Sequence, residues 1–151
     1  MRILLFLAFF YGHLYALERE STLKVYHNLF SALTHQEHVK VYTTDTELKR
    51  IFAEGDRVVT VNDPLLSDIV VVTNEYAYEH FKRYLSEKTD SKKQNLLIFT
   101  TDYHLLKEHN DIVGALYWKK GRSQLLFLAP RLKKHHITLP DSYASYIVDT
   151  L

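Results

Sequence analysis

Asp68-Ile69-Val70-Val71-Val72-Thr73-Asn74-Glu75 is the stretch that decides the fold. Its four central residues are apolar with no alternation, so a strand made from them must be covered on both faces, as in a parallel sheet with helices on either side. Thr73, Asn74 and Glu75 then offer side-chain oxygens and an acid where a helix should begin. The run therefore reads as a central strand that passes directly into a helix.

Working outward, the same phrase recurs. Thr43-Thr44-Asp45 follows Val39-Lys40-Val41-Tyr42, and Thr100-Thr101-Asp102 follows Leu96-Leu97-Ile98-Phe99. Each apolar run reads as a strand, and each phrase leads into a helical pattern: Thr46 to Ala53, Glu75 to Ser86, and Tyr103 to Glu108. The chemistry of the repeat is capping. A Thr or Asn oxygen accepts from unpaired amides of the first turn, and an acid there opposes the positive end of the helix dipole. Thr44 with Glu47 fits a capping box, and Gly55 stands where a left-handed cap would end its helix. If the three strands are parallel, the three helix starts share one edge of the sheet, where open α/β folds hold their ligands. Asp45, Glu75 and Asp102 are therefore the ligand-edge candidates.

Before these elements, Leu23, Tyr26, Phe30 and Leu33 fall at spacings of three and four within Glu20 to His35, one apolar face of a helix that should pack on the sheet. A further β-branched run, Arg57 to Val61, is separated from the central strand by Asn62-Asp63-Pro64. Glu87 to Gln94 reads as a charged loop. Near the end, Ile112 to Trp118 and Ser123 to Leu128 form a β-hairpin around Lys119-Lys120-Gly121-Arg122, with Gly121 supplying the positive φ. Pro130 starts a short basic helix, and Thr138 to Asp141 a last helix carrying Tyr143, Tyr146 and Ile147. The expected fold is α/β: a single domain with a mixed, mostly parallel sheet, helices on its faces and a C-terminal hairpin.

The address comes from the other end. Arg2 is followed by Ile3-Leu4-Leu5-Phe6-Leu7-Ala8-Phe9-Phe10, the apolar character weakens through Ala16, and charge begins at Glu18. This has the shape of a signal peptide that engages the export machinery, shorter than the roughly 20 apolar residues of a spanning helix. Residues 1–16 are expected to be removed, leaving 17–151 as the domain, periplasmic or secreted. An uncleaved segment would instead anchor the chain in a membrane.

Composition narrows the chemistry. With no Cys among 151 residues, a disulfide framework, a cysteine nucleophile and a thiolate-held metal are excluded. Net charge is +1, which gives no case for nucleic acid. Charge is segregated, however: no Asp or Glu occurs between Asp111 and Asp141, a span holding Lys119, Lys120, Arg122, Arg131, Lys133 and Lys134. The first three sit at the hairpin turn, and the last three follow the returning strand, so they should form two patches about 20 Å apart. Tyr117 and Trp118 beside the turn complete an aromatic and basic composition common at interfaces, although a packing role on the strand face competes for Trp118.

No catalytic constellation emerges. The Ser residues lack a Gly-x-Ser-x-Gly elbow, no Gly-rich phosphate loop follows any strand, and no cofactor is implied. Nine His residues invite a metal reading, but His35 and His38 lie where a helix should fray, and the adjacent His135 and His136 point in different directions, so no metal site is expected.

The alternation of helix and strand, the closing stretch Ile112-Val113-Gly114-Ala115-Leu116-Tyr117-Trp118-Lys119-Lys120-Gly121-Arg122-Ser123-Gln124-Leu125-Leu126-Phe127 and the tail through Ile147 resemble the YfiR-like family of small periplasmic proteins. The resemblance implies a small α/β domain that acts by contacting an inner-membrane signalling protein rather than by catalysis. Two functions follow as expectations. The first is a non-enzymatic exported partner-binding or sensory module using Tyr117, Trp118, Lys119, Lys120 and Arg122. The alternative is a small-molecule binder or hydrolase at the strand-end edge.

Overall fold

The all-apolar run becomes the strand β3 (Ile69–Val72), buried along its whole length in a seven-stranded sheet. A computed structural model describes residues 19–88 and 96–151. The expected signal peptide and most of the expected charged loop lie outside those residues. In chain order the elements are α1 (residues 19–34), β1 (Val39–Thr43), α2 (Thr46–Phe52), β2 (Val58–Thr60), β3, α3 (Glu75–Glu87), β4 (Leu97–Thr100), α4 (Tyr103–Glu108), β5 (Ile112–Lys119), β6 (Arg122–Leu128), α5 (Ala129–Lys134) and β7 (Ile147–Val148). The strand order is β2-β1-β3-β4-β5-β6-β7. The first five strands are parallel, β6 runs antiparallel to β5, and β7 pairs parallel to β6.

Apolar alternation along the strands feeds two cores. Val39, Val41, Ile69, Val71, Leu97 and Phe99 face α1 and α2, whereas Val70, Val72 and Ile98 face α3 and α4. Chain direction along the sheet reverses between β1 and β3, because β1 leads outward to β2 and β3 leads the other way to β4. The connection from β2 to β3 is unusually short for a parallel crossover, which usually takes a dozen residues or more. It succeeds because the strands are offset: Val41 pairs with Thr60 on one side and Ile69 on the other, so β3 starts level with the end of β2. A 3₁₀ turn at Pro64–Leu66, capped by Asp63, crosses over β1.

Three local expectations need correction. Gly55 has no left-handed φ and does not cap α2; a Cβ there would lie 2.7 Å from Leu23 Cδ2, so the glycine makes room for α1. The N-cap of α2 is Asp45 itself rather than Thr44. The last helix is a 3₁₀ turn at Asp141–Tyr146, and Ile147 belongs to the edge strand β7, where it pairs with Phe127. A two-residue strand carries no periodicity, and the aromatic spacing ahead of it fits a 3₁₀ turn as well as a helix.

Candidate functional site

The hairpin tip is built by a defect in β5. Between β4 and β5 the register shifts, with Ile98 opposite Ile112 but Phe99 opposite Gly114. Val113 faces the α1 side, and a Cβ on Gly114 would meet Phe127 Cδ1 of that same core at 2.5 Å, so two successive residues turn to one face. Such a bulge rephases every residue beyond it. Tyr117 consequently faces α4, while Leu116 lies on the opposite face and Trp118, two residues on, follows it there.

β5 runs on past the last residue of β4, so the tip overhangs the carboxyl edge of the parallel sheet. Tyr103, the first residue of α4, supports it there. Its ring lies 5.2 Å from that of Tyr117, and Lys119 Nζ stands 5.5 Å from its centroid. Burial, followed by the neighbouring Tyr103, pushes the Tyr117 phenol up. Trp118 finds no such cover and is 72% exposed. Lys120 and Gly121 close the turn with φ of 51° and 79°, and positive values at both central positions mark a type I′ turn. Among the described residues, Lys119, Lys120 and Arg122 have no carboxylate partner. The tip is thus an exposed indole among three unneutralised cations.

The strand-end acids are otherwise engaged. Asp45 accepts from Leu48 N at 2.8 Å and Asp102 from His104 N at 2.8 Å, both as helix caps. Thr43 Oγ1 and Thr100 Oγ1 each accept from the N–H of the Asp two residues on, which gives the repeated phrase its common geometry. Asn74 caps α3 through Ala77 N. Glu75, in the first turn of α3, pairs instead with His109 Nε2 at 3.1 Å. Asp45, Glu75 and Asp102 therefore line one end of the sheet without converging on a common point.

The second basic group separates from the first, as expected, at the other end of β6. Within it, Arg131 is no surface charge: its Nη1 donates to the carbonyls of Leu106, His109 and Ile112 at 2.7–2.9 Å, closing the corner between α4 and β5. Burial lowers its pKa, and nearby Asp111 opposes that shift. Asp111 accepts from Tyr78 Oη and Lys82 Nζ. Burial works against its charge, but these hydrogen bonds outweigh it and hold the carboxyl below its ordinary range.

A cleft of about 700 Å³ opens at the amino edge of the parallel strands, lined by His35, Lys40, Asp68, Lys134, His135 and His136 among others. Burial, then Lys134, lowers the pKa of His135. His35 and His136 both hold left-handed φ values, 56° and 57°. Among the described residues, the group that brings three metal-ligating side chains within 4.8 Å of one another lies elsewhere, at Glu75, Glu108 and His109. Sequence reasoning missed it because Glu75 and His109 are 34 positions apart and meet only when α3 and α4 pack on one face.

No family model, curated protein or solved structure matches this chain.

Proposed function

We propose that this chain is an exported, non-enzymatic partner-binding module that works outside the cytoplasm, where its hairpin tip docks on an acidic surface of a membrane signalling protein. The observation that carries the reading is Trp118, a large aromatic left 72% exposed at the overhanging tip between Lys119, Lys120 and Arg122. Interface hot spots are enriched in Trp, Tyr and Arg, and the tip presents Trp118 with Tyr117 and Arg122. The leading apolar stretch supports export, and the resemblance to the YfiR-like family supports a partner in the inner membrane. A small-molecule or hydrolase site at the strand-end edge fits less well, because Asp45 and Asp102 already accept from helix amides.

The test is a photo-crosslinking residue in place of Trp118, with the same residue at exposed Glu79 as control, in cells whose envelope is then extracted. One membrane protein should be captured from position 118 only, and the double variant Lys119→Glu with Arg122→Glu should lose it. Capture that survives the double variant would remove the hairpin from the account. Mass spectrometry of the purified chain should find Leu17 at its amino terminus; full-length protein in the cell interior would contradict export.

A further inference from the structure

We propose that Glu75, Glu108 and His109 form a surface site for a divalent transition metal, Zn²⁺ by ligand chemistry, at the junction of α3 and α4. Their donor atoms lie within 4.8 Å of one another. His109 Nε2 is 3.1 Å from both carboxylate oxygens of Glu75. With metal bonds of about 2.0–2.1 Å, two ligands of a tetrahedral ion sit about 3.3 Å apart. The Glu75 and His109 atoms thus already stand near the edge length of that tetrahedron. Glu108 completes the set by a rotamer change of an exposed side chain.

Two further features favour an ion over a plain salt bridge. The His109 ring is held before any metal arrives: it stacks on Tyr78 with centroids 3.8 Å apart, and its carbonyl accepts from Arg131. A fixed imidazole lowers the ordering cost of binding. The Glu108 carboxylate, moreover, has no hydrogen-bond or ion-pair partner among the described residues, although it stands beside the acid Glu75. Lys82, whose Nζ lies 5.8 Å from the centroid of the same Tyr78 ring, is committed to Asp111 at 2.8 Å. Two carboxylates and one imidazole gathered at one point supply the oxygen and nitrogen donors that a dication takes. One imidazole and two carboxylates with an open fourth position suit Zn²⁺ better than Mg²⁺, which requires six oxygens in near-octahedral array.

Isothermal titration of the metal-free, untagged protein with ZnCl₂ tests this, with MgCl₂ as control. The wild type should bind one equivalent of Zn²⁺ with a shift of the His109 ring signals in the NMR spectrum, and Mg²⁺ should give no saturable heat. Glu108→Gln, which removes only the charge of an exposed carboxylate without partners and so leaves folding intact, should weaken Zn²⁺ binding about tenfold or more. His109→Gln should abolish it. Absence of saturable Zn²⁺ binding by the wild type, or binding unchanged in either variant, would overturn the site. Neither result bears on the hairpin, which lies outside this cluster.

Discussion

Lys120 holds a φ of 51° at the hairpin turn, a conformation that an ordinary side chain adopts at a cost of about 1–2 kcal/mol. Asn tolerates it, and Asn-Gly is the preferred pair for this turn. Lys120→Asn should therefore raise stability by about 0.5–1 kcal/mol, read as an upward shift of the thermal midpoint; an unchanged or lower midpoint would show that Lys120 is not strained. Arg131 carries the opposite lesson. Removing its guanidinium leaves the carbonyls of Leu106, His109 and Ile112 without their donor. With hydrogen bonds to a charged group worth about 1.5–3 kcal/mol, Arg131→Met should lower stability in urea by about 2 kcal/mol or more. Exposed Lys133→Met should change it by less than about 0.5 kcal/mol. Sequence alone could not separate these two cations, since both stand in one short basic helix and only the packing of α5 on the α4 corner distinguishes them.

At the scale of elements, α1 is fastened to α2 by Tyr26, Phe30 and Phe52, whose rings meet at 5.4–6.0 Å, and to the sheet by Phe30, whose ring lies 6.0 Å from that of Phe99 in β4. Burial, aided by Asp45, pushes the Tyr26 phenol up to about 12. Below pH 10 the phenol is protonated in both folded and unfolded chains, so its contribution is fully present. Between pH 10 and 12 the unfolded chain ionises while the folded one resists, and up to roughly 2–3 kcal/mol is lost. Tyr26→Phe should therefore unfold over a higher alkaline range than the wild type, followed by circular dichroism; coincident curves would show that Tyr26 does not couple to the transition.

Element type was legible wherever periodicity or β-branching persisted for four residues or more, as in α1, β3, α3, α4 and the hairpin. It failed where the cause was tertiary. The bulge at Val113 and Gly114 depends on Phe127 across the sheet, and β7 forms only because Phe127 and Leu128 offer it an edge. Gly55 read as a left-handed helix cap, whereas it makes room for Leu23 of α1, far earlier in the chain. Neither the bulge nor β7 leaves a local signal.

Across the whole molecule, the reversal between β1 and β3 and the overhang of β5 and β6 gather the hairpin tip and the capped helix starts at the same end. The cleft with His135 and His136 occupies the other. The repeated Thr and Asp phrases located that first end from sequence, because capping is local. Their individual fates were not legible: Asp45 and Asp102 serve as caps while Glu75 reaches His109, a pairing set by how α3 and α4 share one face. Exposure of Trp118 was equally hidden, since two strand faces differ only in what covers them.

The central claim is that this tip is a docking surface, and hydrogen–deuterium exchange on the protein alone and with its crosslinked partner tests it most directly. Amides from Tyr117 to Leu125 should become protected in the complex while α1 and α3 exchange as before, and Trp118→Ala should abolish the protection without shifting the thermal midpoint. Protection confined to the cleft around His135, or a partner that protects the Trp118→Ala chain equally, would contradict it.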